Sequence, residues 1–64
     1  MIDVYNFLYL YATENEIEIY DCESESTVFE GYPGDYEVHE FDDYEVQSFD
    51  IDSNGLLTIN IAID

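Results

Sequence analysis

Four groups of residues have the types and spacing to do chemistry. Cys22 and His39 are the thiol and imidazole that a nucleophile and its base require. Asp50-Ile51-Asp52-Ser53-Asn54-Gly55 sets oxygen ligands at positions one, three and five, and glycine at six, of a calcium-binding loop. Glu30, Asp35, Glu37, Glu40, Asp42, Asp43 and Glu45 place seven carboxylates within sixteen residues, with Tyr36 among them. Glu14, Glu16, Glu18, Asp21, Glu23 and Glu25 form a second acidic group.

The first two groups go no further on sequence grounds. A Cys-His pair needs an oxyanion site and an orienting third member, and none can be named. The Asp42-Asp43 pair could serve hydrolysis, but 64 residues leave little room for a water-excluding cleft. No enzyme is therefore expected, and no cofactor. Position twelve of the would-be calcium loop falls on Ile61 where a bidentate glutamate is needed, and strand patterns flank it where helices should. A polar hairpin turn explains every residue, so Asp50, Asp52 and Asn54 are a weak metal candidate. Cys22 has no second cysteine to pair with, which excludes an internal disulfide and gives no sign of an oxidising compartment. It is expected to be a small, buried or half-buried apolar residue.

The acidic groups are different, because nothing in the chain neutralises them. There are 17 Asp plus Glu, no Lys, no Arg and one His, a formal net charge of −17. This excludes phosphate clamps, lysine Schiff bases and direct binding of nucleic acid. Apolar residues make up 47% and aromatics 17%, too many for a disordered acidic tail, so a folded domain is expected. Seven Tyr and four Phe exceed what so small a core can hide. Tyr beside carboxylate on a surface suits recognition of arginine. Repulsion among the carboxylates predicts a domain that salt or a cationic partner stabilises.

Those side chains must be positioned by a handful of short elements in one domain, residues 1–64. Val4, Phe7, Leu8 and Tyr11 fit one face of a helix from Asp3 to Ala12 with Asp3 as N-cap; a doubly buried strand is the alternative. Glu16 to Tyr20 alternates as a strand with Ile17 and Ile19 inward. Thr27 to Glu30 is its hairpin partner across a turn at Ser24 to Ser26. Asp35 to Asp43 reads either as a short helix showing Val38 and Phe41 to the core or as an extended stretch with Tyr36 and Val38 on one side. Tyr44 to Ile51 and Leu56 to Ile63 are strands joined by Asn54-Gly55, a tight turn needing positive φ. Inward spacing changes parity between Val46 and Phe49, which predicts a bulge near Ser48. The expected fold is α+β: a four-stranded, mostly antiparallel sheet with one or two short helices on one face. The N-terminus lacks a positive leader, and the apolar run from Val4 to Ala12 is too short to span a bilayer, so the chain reads as cytosolic.

A chain of this mass should expose about 4,200 Å² when folded, or one carboxylate per about 250 Å². Duplex DNA presents roughly one phosphate per 110 Å². Clustering on half the surface would close that gap. In size, charge and aromatic content across its whole length the chain resembles the small acidic DNA-mimic inhibitors of phages and mobile elements, which include anti-CRISPR, anti-restriction and uracil-glycosylase inhibitor proteins. The run of Glu16-Ile17-Glu18-Ile19-Tyr20-Asp21, Val28-Phe29-Glu30-Gly31, Tyr44-Glu45-Val46 and Leu57-Thr58-Ile59-Asn60-Ile61 is also similar to short proteins of Firmicutes phages and plasmids. The resemblance implies a protein inhibitor in the bacterial cytoplasm that occupies the basic groove of a DNA enzyme. A Cas9–guide RNA complex is the favoured partner, with its PAM-reading arginines and DNA channel as targets. A restriction enzyme, or a basic host protein bound without mimicry, is the alternative. The expected contact residues are Glu30, Asp35, Tyr36, Glu37, Glu40, Asp42, Asp43 and Glu45.

Overall fold

The computed structural model describes residues 1–11 and 14–63. Helix α1 (Val4–Tyr11) is followed by strands β1 (Ile17–Asp21) and β2 (Ser26–Gly31), a 3-10 helix (Tyr36–Phe41), and strands β3 (Ser48–Ile51) and β4 (Leu57–Ile61). The sheet has four strands in the order β2-β1-β4-β3. Both hairpins are antiparallel, while the two central strands, β1 and β4, run parallel. The fold is α+β with a mixed, mostly antiparallel sheet.

Strand order follows from apolar content. β1 and β4 alternate buried and half-buried residues, and their inward Ile17, Ile19, Leu57, Ile59 and Ile61 are at most 1% exposed. Such strands belong in the middle, where each has a neighbour on both sides. Val4 from α1 and Val38 and Phe41 from the 3-10 helix close the core over that face. Asp3 starts α1: its carboxylate accepts the Asn6 N–H at 2.8 Å, and its carbonyl accepts the Phe7 N–H at 2.9 Å. That cap decides for helix against strand. Ala12, the expected last helical residue, lies outside the described residues.

Several details differ from the sequence reading. The third strand begins at Ser48, and Tyr44 to Gln47 lie outside it. The Val46 N–H donates to the Ile2 carbonyl at 2.9 Å, and Asp3 and Glu45 form an isolated antiparallel bridge. The parity change between Val46 and Phe49 therefore marks the point where the chain leaves the N-terminal segment and enters the sheet, and β3 pairs with β4 in unbroken register. The bulge is in β2: Ile19 faces Phe29 while Tyr20 faces Thr27, leaving Val28 as the extra residue. Positive φ at the second hairpin falls on Gly55 alone (86°), after a turn closed by the Gly55 N–H on the Asp52 carbonyl at 3.0 Å. Cys22 is exposed, contrary to the expected burial, because it falls in the β1–β2 turn one residue past the last strand position, Asp21.

Candidate partner-binding surface

A 3-10 helix has three residues per turn, so side chains at i and i+3 eclipse. From Tyr36 to Phe41 this sorts the residues onto three sides. Val38 and Phe41 enter the core. Glu37 and Glu40 share a second side, and Tyr36, His39 and Asp42 the third. The acidic segment is thereby divided in two.

Glu37 and Glu40 face β2 across a hollow of about 470 Å³, where Glu30 and Asp35 join them. Phe29 and Phe41 also line this hollow, with ring centroids 6.4 Å apart. Asp35 is fixed by a reciprocal turn: its N–H donates to the Tyr32 carbonyl, and its Oδ2 accepts the Tyr32 N–H, both at 2.9 Å. A Cβ on Gly31 would meet that same carboxylate, so a larger residue there would have to push the Asp35 side chain away from the Tyr32 N–H.

Glu30 also lines an adjoining depression with Glu16 and Glu18. Glu18 and Glu30 are direct cross-strand partners, and the row continues through Thr58 to Asp50 on the outer face of the sheet. Like charges placed opposite one another destabilise a sheet. Glu18 is held there by hydroxyl donors on both neighbouring strands, Thr27 at 3.2 Å and Thr58 at 3.3 Å. Six carboxylates, Glu16, Glu18, Glu30, Asp35, Glu37 and Glu40, thus adjoin one another.

The remaining expected contact residues fall elsewhere. Asp42 is turned toward α1 with its Oδ2 3.0 Å from His39 Nδ1. Tyr36 is 87% exposed and does not line the hollow. Asp43 is exposed, and Glu45 is half-buried beside Asp3. Two members of the second acidic group, Glu23 and Glu25, lie in the β1–β2 turn at the other end of β1 from Glu16. Sequence reasoning took the central run as one patch; a period of three from residue 36 would have separated it, but spacing so short does not distinguish a 3-10 helix from an extended stretch.

The other groups have structural work. Asp21 is buried, and its carboxylate accepts the N–H groups of Ile63 (2.9 Å), Glu23 (3.0 Å) and Ser24 (3.2 Å) and the Ser24 hydroxyl (2.7 Å). These donors, with Ile63 the largest influence, lower its pKa from 3.8 to about 2. Asp52 Oδ1 accepts the N–H groups of Asn54 and Leu56 at 2.8 and 2.9 Å, which makes it a turn-former. Asp50 lies within β3 opposite Thr58, one strand position before the turn that Asp52 and Asn54 build. Among the described residues no group of three or more His, Cys, Asp or Glu is arranged to hold a metal ion. Among them, too, no helix is long and apolar enough to cross a membrane. The chain matches no protein-family model, no curated protein and no solved structure.

Proposed function

We propose that the chain is a DNA-mimic inhibitor acting in the bacterial cytoplasm, where its adjoining carboxylates occupy the basic nucleic-acid groove of a defence nuclease, a Cas9–guide RNA complex in particular. The observation that carries this reading is the convergence of Glu16, Glu18, Glu30, Asp35, Glu37 and Glu40, from the first hairpin and the residue before it, a turn and a 3-10 helix, on two hollows that share Glu30. With no Lys or Arg anywhere in the chain, their field is not cancelled. Arginines that fork onto guanine or phosphate accept a carboxylate with the same geometry. The total exposed area of 4323 Å² gives one carboxylate per about 250 Å² on average, and the adjoining six raise that density locally toward DNA. Inhibition then needs no catalysis, only steering and several charge pairs.

The test is capture on the immobilised chain from bacterial lysate containing Cas9 and guide RNA, washed at low and raised salt and then challenged with target DNA. Capture should be lost to salt and to DNA. Glu37→Lys with Glu40→Lys should weaken capture at least tenfold, since each charge-assisted pair contributes about 1.5–3 kcal/mol, whereas Asp43→Lys should change it little. Capture that target DNA does not displace, or that survives both the Glu37/Glu40 reversal and an Asp42/Asp43 reversal, overturns the reading. Salt-resistant retention of a protein that handles no nucleic acid would point instead to an ordinary interaction module.

A further inference from the structure

The third side of the 3-10 helix faces α1 across a separate recess of about 200 Å³. Tyr5 and Tyr9, one helical turn apart on α1 and 51% and 76% exposed, stand along one wall. Leu8 and the buried Val38 lie deeper, Pro33 closes one side, and Asp42 supplies the only carboxylate. We propose that this recess is a binding site for a single arginine side chain of a cationic protein partner.

The walls are already in place. The Tyr5 N–H donates to the Asp42 carbonyl at 3.2 Å, and the Val4 N–H to the Tyr44 carbonyl at 2.9 Å, so α1 and the end of the 3-10 helix are tied together. A carboxylate only accepts, so His39 Nδ1 carries the proton it shares with Asp42 Oδ2. Asp42 Oδ1 has no partner among the described residues and is left for an incoming donor.

Size and chemistry select the occupant. Small-molecule sites measure about 300–1,000 Å³, and this recess is smaller, which suits one side chain. An apolar side chain would desolvate Asp42 Oδ1 without pairing it, a costly arrangement. A cation pairs with Asp42 and is attracted to the faces of Tyr5 and Tyr9. Guanidinium adds planar stacking and a fork of donors that ammonium lacks. The chain has no Lys or Arg to fill the recess itself, and its charge of −17 draws cationic partners toward it. The inference rests on the cationic partner proposed above but not on its being a nuclease.

It is tested with the full chain, labelled with ¹⁵N, and three blocked tripeptides carrying arginine, lysine or citrulline at matched ionic strength. The arginine peptide should shift the amides of Tyr5, Leu8, Tyr9 and His39 saturably. Lysine should bind about two- to fivefold more weakly and citrulline, the uncharged isostere, not measurably. Tyr9→Ser, at a position exposed enough for the fold to tolerate, should weaken arginine binding about two- to fivefold. Asp42→Asn should weaken arginine binding and narrow the arginine-over-lysine preference, leaving the part that stacking supplies, and Glu37→Gln with Glu40→Gln should leave both intact. Shifts that map to Glu30, Glu37 and Glu40, equal binding of lysine, or indifference to Tyr9→Ser overturns the proposal. Because only peptides are used, this result does not depend on the capture of any nuclease.

Discussion

Asp21 ends β1 with its carboxylate turned inward, where it accepts three hydrogen bonds from the first hairpin turn and one from Ile63, two residues past β4. In the unfolded chain that carboxyl titrates near 3.8; in the fold it titrates near 2. A lowered folded pKa contributes stability that is fully present above the unfolded value and is lost as pH falls through the folded one. Asp21→Asn removes that contribution. Melting temperatures of the two proteins should be well separated above pH 4 and should converge toward pH 2; a constant gap would show that the carboxylate's charge is not what matters. Gly55 is a second residue whose identity the backbone dictates, with φ of 86°. Its added Cβ would meet nothing closer than Asn15 at 3.8 Å, so the effect of Gly55→Ala is conformational. It should cost about 1–2 kcal/mol, read as a shift of the urea midpoint with an unchanged slope.

At the scale of elements, what was legible in the sequence tracks how strongly side-chain period and burial agree. Ile17 and Ile19, and Leu57, Ile59 and Ile61, alternate without interruption, and both strands are where the pattern puts them. Asp3 supplied the cap that favours α1 over a strand. The third strand is shorter than its pattern predicts because Tyr44 and Val46 are half-buried by the N-terminal segment, a tertiary contact that mimics strand alternation. The parallel pairing of β1 and β4 has no local signature, since it depends on how two separate hairpins come together. For the candidate surface the consequences were larger. Glu30, Asp35, Glu37 and Glu40 were legible as members of one acidic run, but their meeting with Glu16 and Glu18 depends on β1–β2 register, and the separation of Asp42 depends on the 3-10 period. The central strands also limit what the fold tolerates. Ile59 is fully buried on β4, and Ile59→Ala should cost about 2–5 kcal/mol. At roughly 0.05–0.15 kcal/mol per residue, a chain of this length has about 3–10 kcal/mol in total. Urea denaturation should therefore show Ile59→Ala losing roughly half of that stability, read as a midpoint shifted well down at unchanged slope; a loss under 1 kcal/mol would mean that the β1–β4 core repacks freely.

For the whole molecule, the relevant comparison is between its dimensions and the reach of its charges. The molecule measures 29 × 22 × 22 Å and carries a net charge of −17. The Debye length is about 30 Å at 0.01 M salt and about 3 Å at 1 M. In dilute buffer every carboxylate therefore acts on every other, whereas in concentrated salt only immediate neighbours do. Two unit charges 10 Å apart in water repel by about 0.4 kcal/mol, and folding brings many pairs to such distances. Their sum is comparable with the small total stability of a domain this size, and an expanded chain escapes most of it. Sodium chloride raised from 0.01 to 1 M should thus increase the melting temperature; recovery of only ~2 kcal/mol corresponds to about 8–16 °C. A sugar at equal osmolality should do much less, which separates screening from preferential exclusion. Glu23→Lys with Glu25→Lys, in the exposed turn away from the hollow, should raise the melting temperature in dilute buffer and flatten its salt dependence. Such a variant would also separate stability from recognition: if charge at the hollow drives binding, it should be more stable than the parent at low salt and still be captured through Glu37 and Glu40. A melting temperature that does not move with salt would mean that the carboxylates are too well solvated to oppose folding, and that their density answers to the partner alone.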